Sequence, residues 1–208
     1  RCLLDQPEAI GGLQFYADLI NKHHVMPTPV ALANMGMGVD MMFADGYIAM
    51  FQSGIWETPA LLKYENLRWD VVMFPKSPKG IRRFGTGGSA YGMLRTTKHP
   101  RLAWEVLKAL AGPVGQKELA RRGLAQPAII DIAEGEYWAE SNVPPANKVM
   151  LNEAVKHVVY DPFHEKWLEA RAKFIIPQLE LLFNGKHDAQ TAIDKCIDDV
   201  NNILQNDD

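Results

Sequence analysis

Apolar positions recur at helical spacing toward both ends of the chain and gather into short runs between. In "DQPEAIGGLQFYADLINKHH", Ile10, Leu13, Ala17 and Ile20 fall three or four residues apart, which predicts a helix with one buried face. Asp5 followed by Glu8 reads as a capping box, with Pro7 in the first turn. Gly11 and Gly12 weaken this helix, and close approach of another element would explain them. Pro27 and Pro29 stop it. Residues 39 to 45 predict a short helical turn ending at Gly46. "YIAMFQ" and "RWDVVMFP" are apolar runs of strand length, the second closed by Pro75 and the turn "KSPKG", and "SAYGMLRT" is a third strand-like segment. Between the first two, Thr58 and Pro59 read as the cap and first residue of a short helix through Lys63.

The second half is helical. "KHPRLAWEVLKALAG" places Ala103, Val106, Leu107 and Leu110 on one side, with Gly112 as its stop, and "PVGQKELARRG" ends at Gly123. Residues 131 to 157 are helical or irregular, interrupted by Pro144 and Pro145. A long helix is predicted from Pro162 toward Gly185, kinked at Pro177. In the last helix Asp188 is the cap and Ile193, Cys196, Ile197 and Val200 form an apolar stripe. Short strands mixed with longer helices give an α/β or α+β class, and no repeat or low-complexity linker marks off autonomous domains.

Composition narrows the function. Hydrophobic content of 47% and charged content of 23% fit a folded globular chain, and no apolar run reaches the roughly 18 to 20 residues that cross a bilayer. Net charge is −3 without a basic stripe, which argues against nucleic acid as the main partner. The chain starts at Arg1 without Met or a signal-type segment, so it is expected to be part of a longer protein whose N-terminal portion carries any targeting signal. Cys196 reads as a small core hydrophobe, and its pairing with Cys2 is left open. His23-His24 point about 100° apart on a helix, and His157 and His164 lack a ligand spacing, so no metal or other cofactor is expected. "GTGGSAYG" lacks the Gly-Lys-Ser/Thr ending of a phosphate loop; it reads either as close backbone approach to a ligand or as a turn into a twisted strand. No nucleophile–base motif is present, and the expectation is a non-enzyme.

Four segments, in order, resemble the extracellular solute-binding proteins of sugar ABC transporters, the maltodextrin-binding-like family. "MFADGYIAMFQSGIW" is similar to the family's F-x-x-G-x-x-A-M-x-x-x-G-x-W run at Phe43, Gly46, Ala49, Met50, Gly54 and Trp56. "WDVVMFPKSPKG" with "GTGGSAYGM", then "TKHPRLAWEVLKALAGPVGQKELARRGLAQPA", and finally "LELLFNGKHDAQTAIDKCIDDVNNIL" resemble the segments that follow. The resemblance implies an α/β, periplasmic-binding-protein-like (type II) two-lobe fold, of which this chain is the C-terminal portion. Residues 1–75 would open the C-terminal lobe, 76–83 would be the hinge crossing, 84–130 would complete part of the N-terminal lobe, and 131–208 would return to the C-terminal lobe.

It further implies a periplasmic or extracellular protein, secreted or lipid-anchored, that captures a carbohydrate by lobe closure and delivers it to a membrane permease, without inserting into the membrane itself. Trp56 would stack on a sugar ring, with Gly87, Gly88 and Ser89 on the opposite wall. Tyr160, Phe163, His164 and Trp167 are further candidates where the family's chain returns to the cleft; packing at the start of the last long helix competes with that role. Trp56 too has a second reading, as a buried helix anchor. Two other function classes stay open: a carbohydrate-active hydrolase fragment, which needs two carboxylates about 5 to 10 Å apart, and a binder of a cationic ligand such as a polyamine.

Overall fold

The computed structural model of the protein describes residues 1–85 and 88–205. Along the chain, α1 (Pro7–Asn21) and α2 (Pro29–Met35) both begin on a proline, which fits a first turn because its missing N–H would go unpaired there. Gln6, not Asp5, is the cap of α1; the Asp5 carboxylate accepts instead from the Arg1 and Gln6 side chains, so the expected capping box does not form. Gly11 and Gly12 have open space where a Cβ would stand, so nothing approaches them either. α3 (Val39–Ala44) ends before Gly46, whose φ of 79° is left-handed, as the sequence predicts. A 3₁₀ turn (Ile55–Glu57) leads into α4 (Thr58–Leu61), one residue earlier than expected, with Glu57 as its cap.

β1 (Phe84–Gly85) precedes α5 (Pro100–Ala111) and α6 (Pro113–Arg121); Gly112 and Gly123 follow these helices as predicted. α7 (Ile130–Glu134), α8 (Val149–Ala154) and β2 (Val158–Val159) come next. The long C-terminal helix is α9 (Trp167–Ala170), a π turn (Arg171–Ile175) and α10 (Ile176–Phe183). The π turn ends just before Pro177: the Ile176 N–H reaches back five residues to the Arg171 carbonyl, which makes room for a residue that has no N–H to offer. α11 (Ala189–Asp194) is capped by Asp188, whose Oδ1 accepts from the Thr191 N–H at 2.7 Å, and α12 (Ile197–Gln205) follows.

The chain divides into two compact units, Arg1–Gly36 with Pro162–Asp208, and Met37–Asp161. In the first, Ala17 of α1, Leu182 of α10 and Ala189 and Ala192 of α11 are buried together, the alanines letting helix backbones approach closely. The Gln14 side chain accepts from the Ala189 N–H at 2.9 Å, satisfying a donor at the start of α11, and the Asn21 amide donates to the Leu182 carbonyl at 3.1 Å. A neighbouring cluster gathers Cys2, Ala170, Ile175 and Val200, with Trp167 and Phe174 packed against it. Ile193 and Cys196 are buried on the predicted stripe, and Cys2 and Cys196 are both free thiols.

The second unit is organised around Ala120 of α6, Ile132 of α7 and Trp138, with Ile55, Ile129 and Leu151 packed against them. Ala120 and Ile129 thus share a core with Ile55 earlier in the chain and with Ile132, Trp138 and Leu151 later in it. Lys148, 2% exposed, donates from Nζ to the Ser141 carbonyl and hydroxyl, both at 2.7 Å, and to the Val143 carbonyl. Asn147 ties residues 70 and 71 to the same region: its N–H donates to Asp70 Oδ1 at 2.8 Å and its amide to the Val71 carbonyl at 2.9 Å.

The strand expectations fail in this unit. "YIAMFQ", "RWDVVMFP" and the strand-like "SAYGMLRT" run without strand pairing; the sheet of the described residues is β1 beside β2, parallel, with Phe84 opposite Val158 and Gly85 opposite Val159. A strand exists only where a second backbone supplies the complementary N–H and C=O groups, and apolar content alone cannot provide it. The apolar side of α5 is open: Ala103 and Leu107 are half-buried, whereas Val106 and Leu110 are exposed. The helix forms because its periodicity and its Gly112 stop are local, and α6 packs against it.

Candidate ligand-binding site

Trp56 lies in the 3₁₀ turn between two anchors. Ile55, before it, packs against the Ala120–Ile132–Trp138 core; Thr58, after it, is 2% exposed. The turn is closed by the Glu57 N–H donating to the Gly54 carbonyl at 3.1 Å and by the Ser53 hydroxyl donating to the Glu57 carboxylate at 2.8 Å. Successive residues of so short a turn point different ways, so burying Ile55 turns Trp56 outward. Trp56 is 59% exposed. Of the two sequence readings, the buried anchor is therefore not what the fold shows: Trp56 is displayed. Trp138, which no sequence motif singled out, is the core tryptophan of this unit at 1% exposure.

The ring lies back against its own turn. A Cβ added to Gly54 would overlap Cζ3, Cη2 and Cε3 of Trp56, so the six-membered ring rests directly on the glycine backbone. The same unit also holds an open depression of about 410 Å³, lined by Ala44 and residues 64 to 68. Tyr64 on its wall has its hydroxyl pKa raised, by burial first and then by the Asp40 and Asp45 charges, so the phenol keeps its proton as a hydrogen-bond donor.

The other predicted residues fall in different settings. Gly87 lies outside the described residues. Gly88 and Ser89 are exposed, and a Cβ at Gly88 would meet nothing within 4 Å. Tyr160 is largely exposed and directly follows β2, which runs parallel to β1. Gly88, Ser89, Tyr160 and Trp56 belong to the second unit, whereas Phe163, His164 and Trp167 belong to the first. Phe163 is fully exposed. His164 has a local structural part: its Nδ1 accepts from the Lys166 N–H at 3.1 Å and its carbonyl from the Trp167 N–H at 3.0 Å, at the entry to α9. Trp167 packs on the Cys2–Val200 cluster and lines an apolar cleft of about 200 Å³ with Leu4, Leu13 and Leu179, which is the packing role weighed for it. Among the described residues no three His, Cys, Asp or Glu side chains converge to hold a metal ion, and no helix is long and apolar enough to cross a membrane.

Residues 7–145, which contain the whole Trp56 turn and its supporting core, match the bacterial extracellular solute-binding proteins. The chain belongs to that family. Comparison with curated protein sequences found no match. Among solved structures, this chain is similar to an ABC substrate-binding protein, Lmo0181, from Listeria monocytogenes in complex with cycloalternan, at TM-score 0.82 and 18% identity over 97% of this chain and 50% of that one. It is also similar to the maltose-maltodextrin binding protein of the thermoacidophilic bacterium Alicyclobacillus acidocaldarius, at TM-score 0.72 and 19% identity over 95% of this chain and 51% of that one. The chain thus spans about half the length of these neighbours, and over that half it has their type II periplasmic-binding-protein-like fold.

Proposed function

We propose that this chain is part of the carbohydrate-binding component of an ABC importer, acting outside the cytoplasm and handing its sugar to a membrane permease. The observation that carries the reading is the exposed, seated ring of Trp56 within the family-matched segment. Sugar rings present apolar C–H faces bordered by hydroxyls, and a flat aromatic plate covers such a face while neighbouring polar groups bond its rim. One structural neighbour is in complex with cycloalternan and the other is a maltose-maltodextrin binding protein, which supports a glucose-based oligosaccharide as the class to test first.

The mechanism is binding without bond cleavage. Contacts from two lobes stabilise a closed state over an open one, and only a ligand with different affinity for the two can shift that balance. Gly88, Ser89, Tyr160 and Phe163 are exposed and available to contribute; His164 contributes by shaping the entry to α9. The test is a thermal-shift and calorimetric titration of the full-length protein with mono- and oligosaccharides. A ligand that binds only the native state raises its melting temperature. Saturable binding that is lost in Trp56→Ala supports the reading. Binding of polyamines with no response to any saccharide would replace it.

A further inference from the structure

The residue two positions before Trp56 is glycine for a reason that its backbone angles do not supply. Gly54 has φ −136° and ψ −178°, extended values that any amino acid adopts. What calls for glycine is the space: the three atoms nearest to an added Cβ all belong to the Trp56 ring. Alanine could be accommodated only if the indole moved, because the other party to the overlap is main chain. The ring cannot escape by shifting the whole turn, since Ile55 is held in the core and Thr58 is buried.

We propose that Gly54 is a positioning residue: it seats the Trp56 indole flat on the backbone and so fixes an exposed aromatic plate before any ligand arrives. An exposed side chain usually samples several rotamers, and ordering it on binding costs affinity. A ring that already rests on the glycine backbone in the free protein has less of that freedom to lose. The effect on ligand affinity rests on the reading of Trp56 as a sugar platform; the seat itself does not.

The experiment uses full-length protein labelled with 5-fluorotryptophan, the Trp56 ¹⁹F resonance being assigned by its absence in Trp56→Phe. Gly54→Ala is expected to move the Trp56 resonance while leaving that of the buried Trp138 in place. Any lowering of the melting temperature by Gly54→Ala is expected to disappear in a Trp56→Ala background, where no ring remains to collide. If Gly54→Ala does not fold, Gly54→Ala/Trp56→Ala is expected to fold. An unmoved Trp56 resonance, or the same loss of stability or folding with Trp56 absent, would overturn the seat. Titration with maltotriose then separates the two ideas. A loss of roughly threefold to tenfold in Gly54→Ala, absent when Trp56 is already Ala, supports positioning. Maltotriose binding that ignores Trp56→Ala sinks the platform and leaves the seat standing. A Gly54→Ala loss that persists without Trp56 sinks the positioning role and leaves the platform standing.

Discussion

Replacing Trp56 with Ala removes the indole from the turn between Gly54 and Thr58, and its two consequences can be weighed separately. With 59% of the residue exposed, roughly 100 Å² of a tryptophan's roughly 250 Å² is covered. At about 25 cal/mol per Å² that cover corresponds to about 2.5 kcal/mol, an upper bound because unfolded chains already bury part of their apolar surface. Ala keeps some of the contact, so the expected loss of stability is about 1 to 2 kcal/mol. A core tryptophan such as Trp138 would lose about 3 to 5 kcal/mol on the same truncation. Loss of a stacking contact in a desolvated pocket is expected to cost about 2 kcal/mol of binding, on the order of thirtyfold in Kd. Urea denaturation and a maltotriose titration of the full-length protein measure the two quantities side by side. A stability loss above about 3 kcal/mol with unchanged affinity per folded molecule would refute the platform.

Lys148→Met keeps the length and apolar stem of the side chain but leaves the Ser141 carbonyl, the Ser141 hydroxyl and the Val143 carbonyl without their donor; urea denaturation should show a loss of about 2 to 4 kcal/mol. Burial lowers the Lys148 pKa below the ordinary 10.5, so the folded chain releases this proton at a lower pH than the unfolded one. The wild type therefore gains stability from this group as pH rises from the folded value toward 10.5, and the deficit of the variant should widen over that window. Cys196 behaves in the opposite sense: burial first, then the charges of Cys2 and Asp199, raise its thiol pKa above the ordinary 9.0. The unfolded chain releases that proton near 9.0 while the folded one keeps it, so this contribution is intact below 9.0 and is lost as pH rises toward the folded value. Cys196→Ala should flatten the alkaline limb of a stability–pH profile, and a thiol reagent should react with Cys196 only on unfolding. Gly123 has φ 65°, and a Cβ there would stand 2.9 Å from Val143 Cγ1 and 3.1 Å from Thr58 Cγ2; Gly123→Ala should cost more than about 1 kcal/mol in the same denaturation assay.

Helix ends and stripes were legible in the sequence because their causes are local. Asp188 caps α11 through a side chain three residues from its donor, Gly46 and Gly123 adopt the left-handed conformation that ends a helical turn, and Ile193, Cys196 and Val200 share a face by spacing alone. Pro177 marked the place of an irregularity, and the backbone meets it with a π turn over Arg171–Ile175. The family was legible too, since its motifs are short ordered patterns; the match over residues 7–145 covers the first three of the four segments that suggested it, the third up to its end at Ala128.

Tertiary structure decided what depends on partners distant in sequence. "RWDVVMFP" has the composition of a buried strand, yet Asp70 and Val71 are held by Asn147, and strand pairing goes to Phe84–Gly85 with Val158–Val159. The α5 stripe predicted a helix correctly but could not say that Val106 and Leu110 would stay uncovered. Trp56 and Trp138 are the same residue type in apolar surroundings; one is displayed and the other buried because Ile55 and the Ala120–Ile132 contact take the core positions. Dihedral preference and periodicity act between immediate neighbours, so the amino-acid order alone determines them. Which apolar surface is covered is a competition among distant segments for a finite core, and only the folded chain settles it.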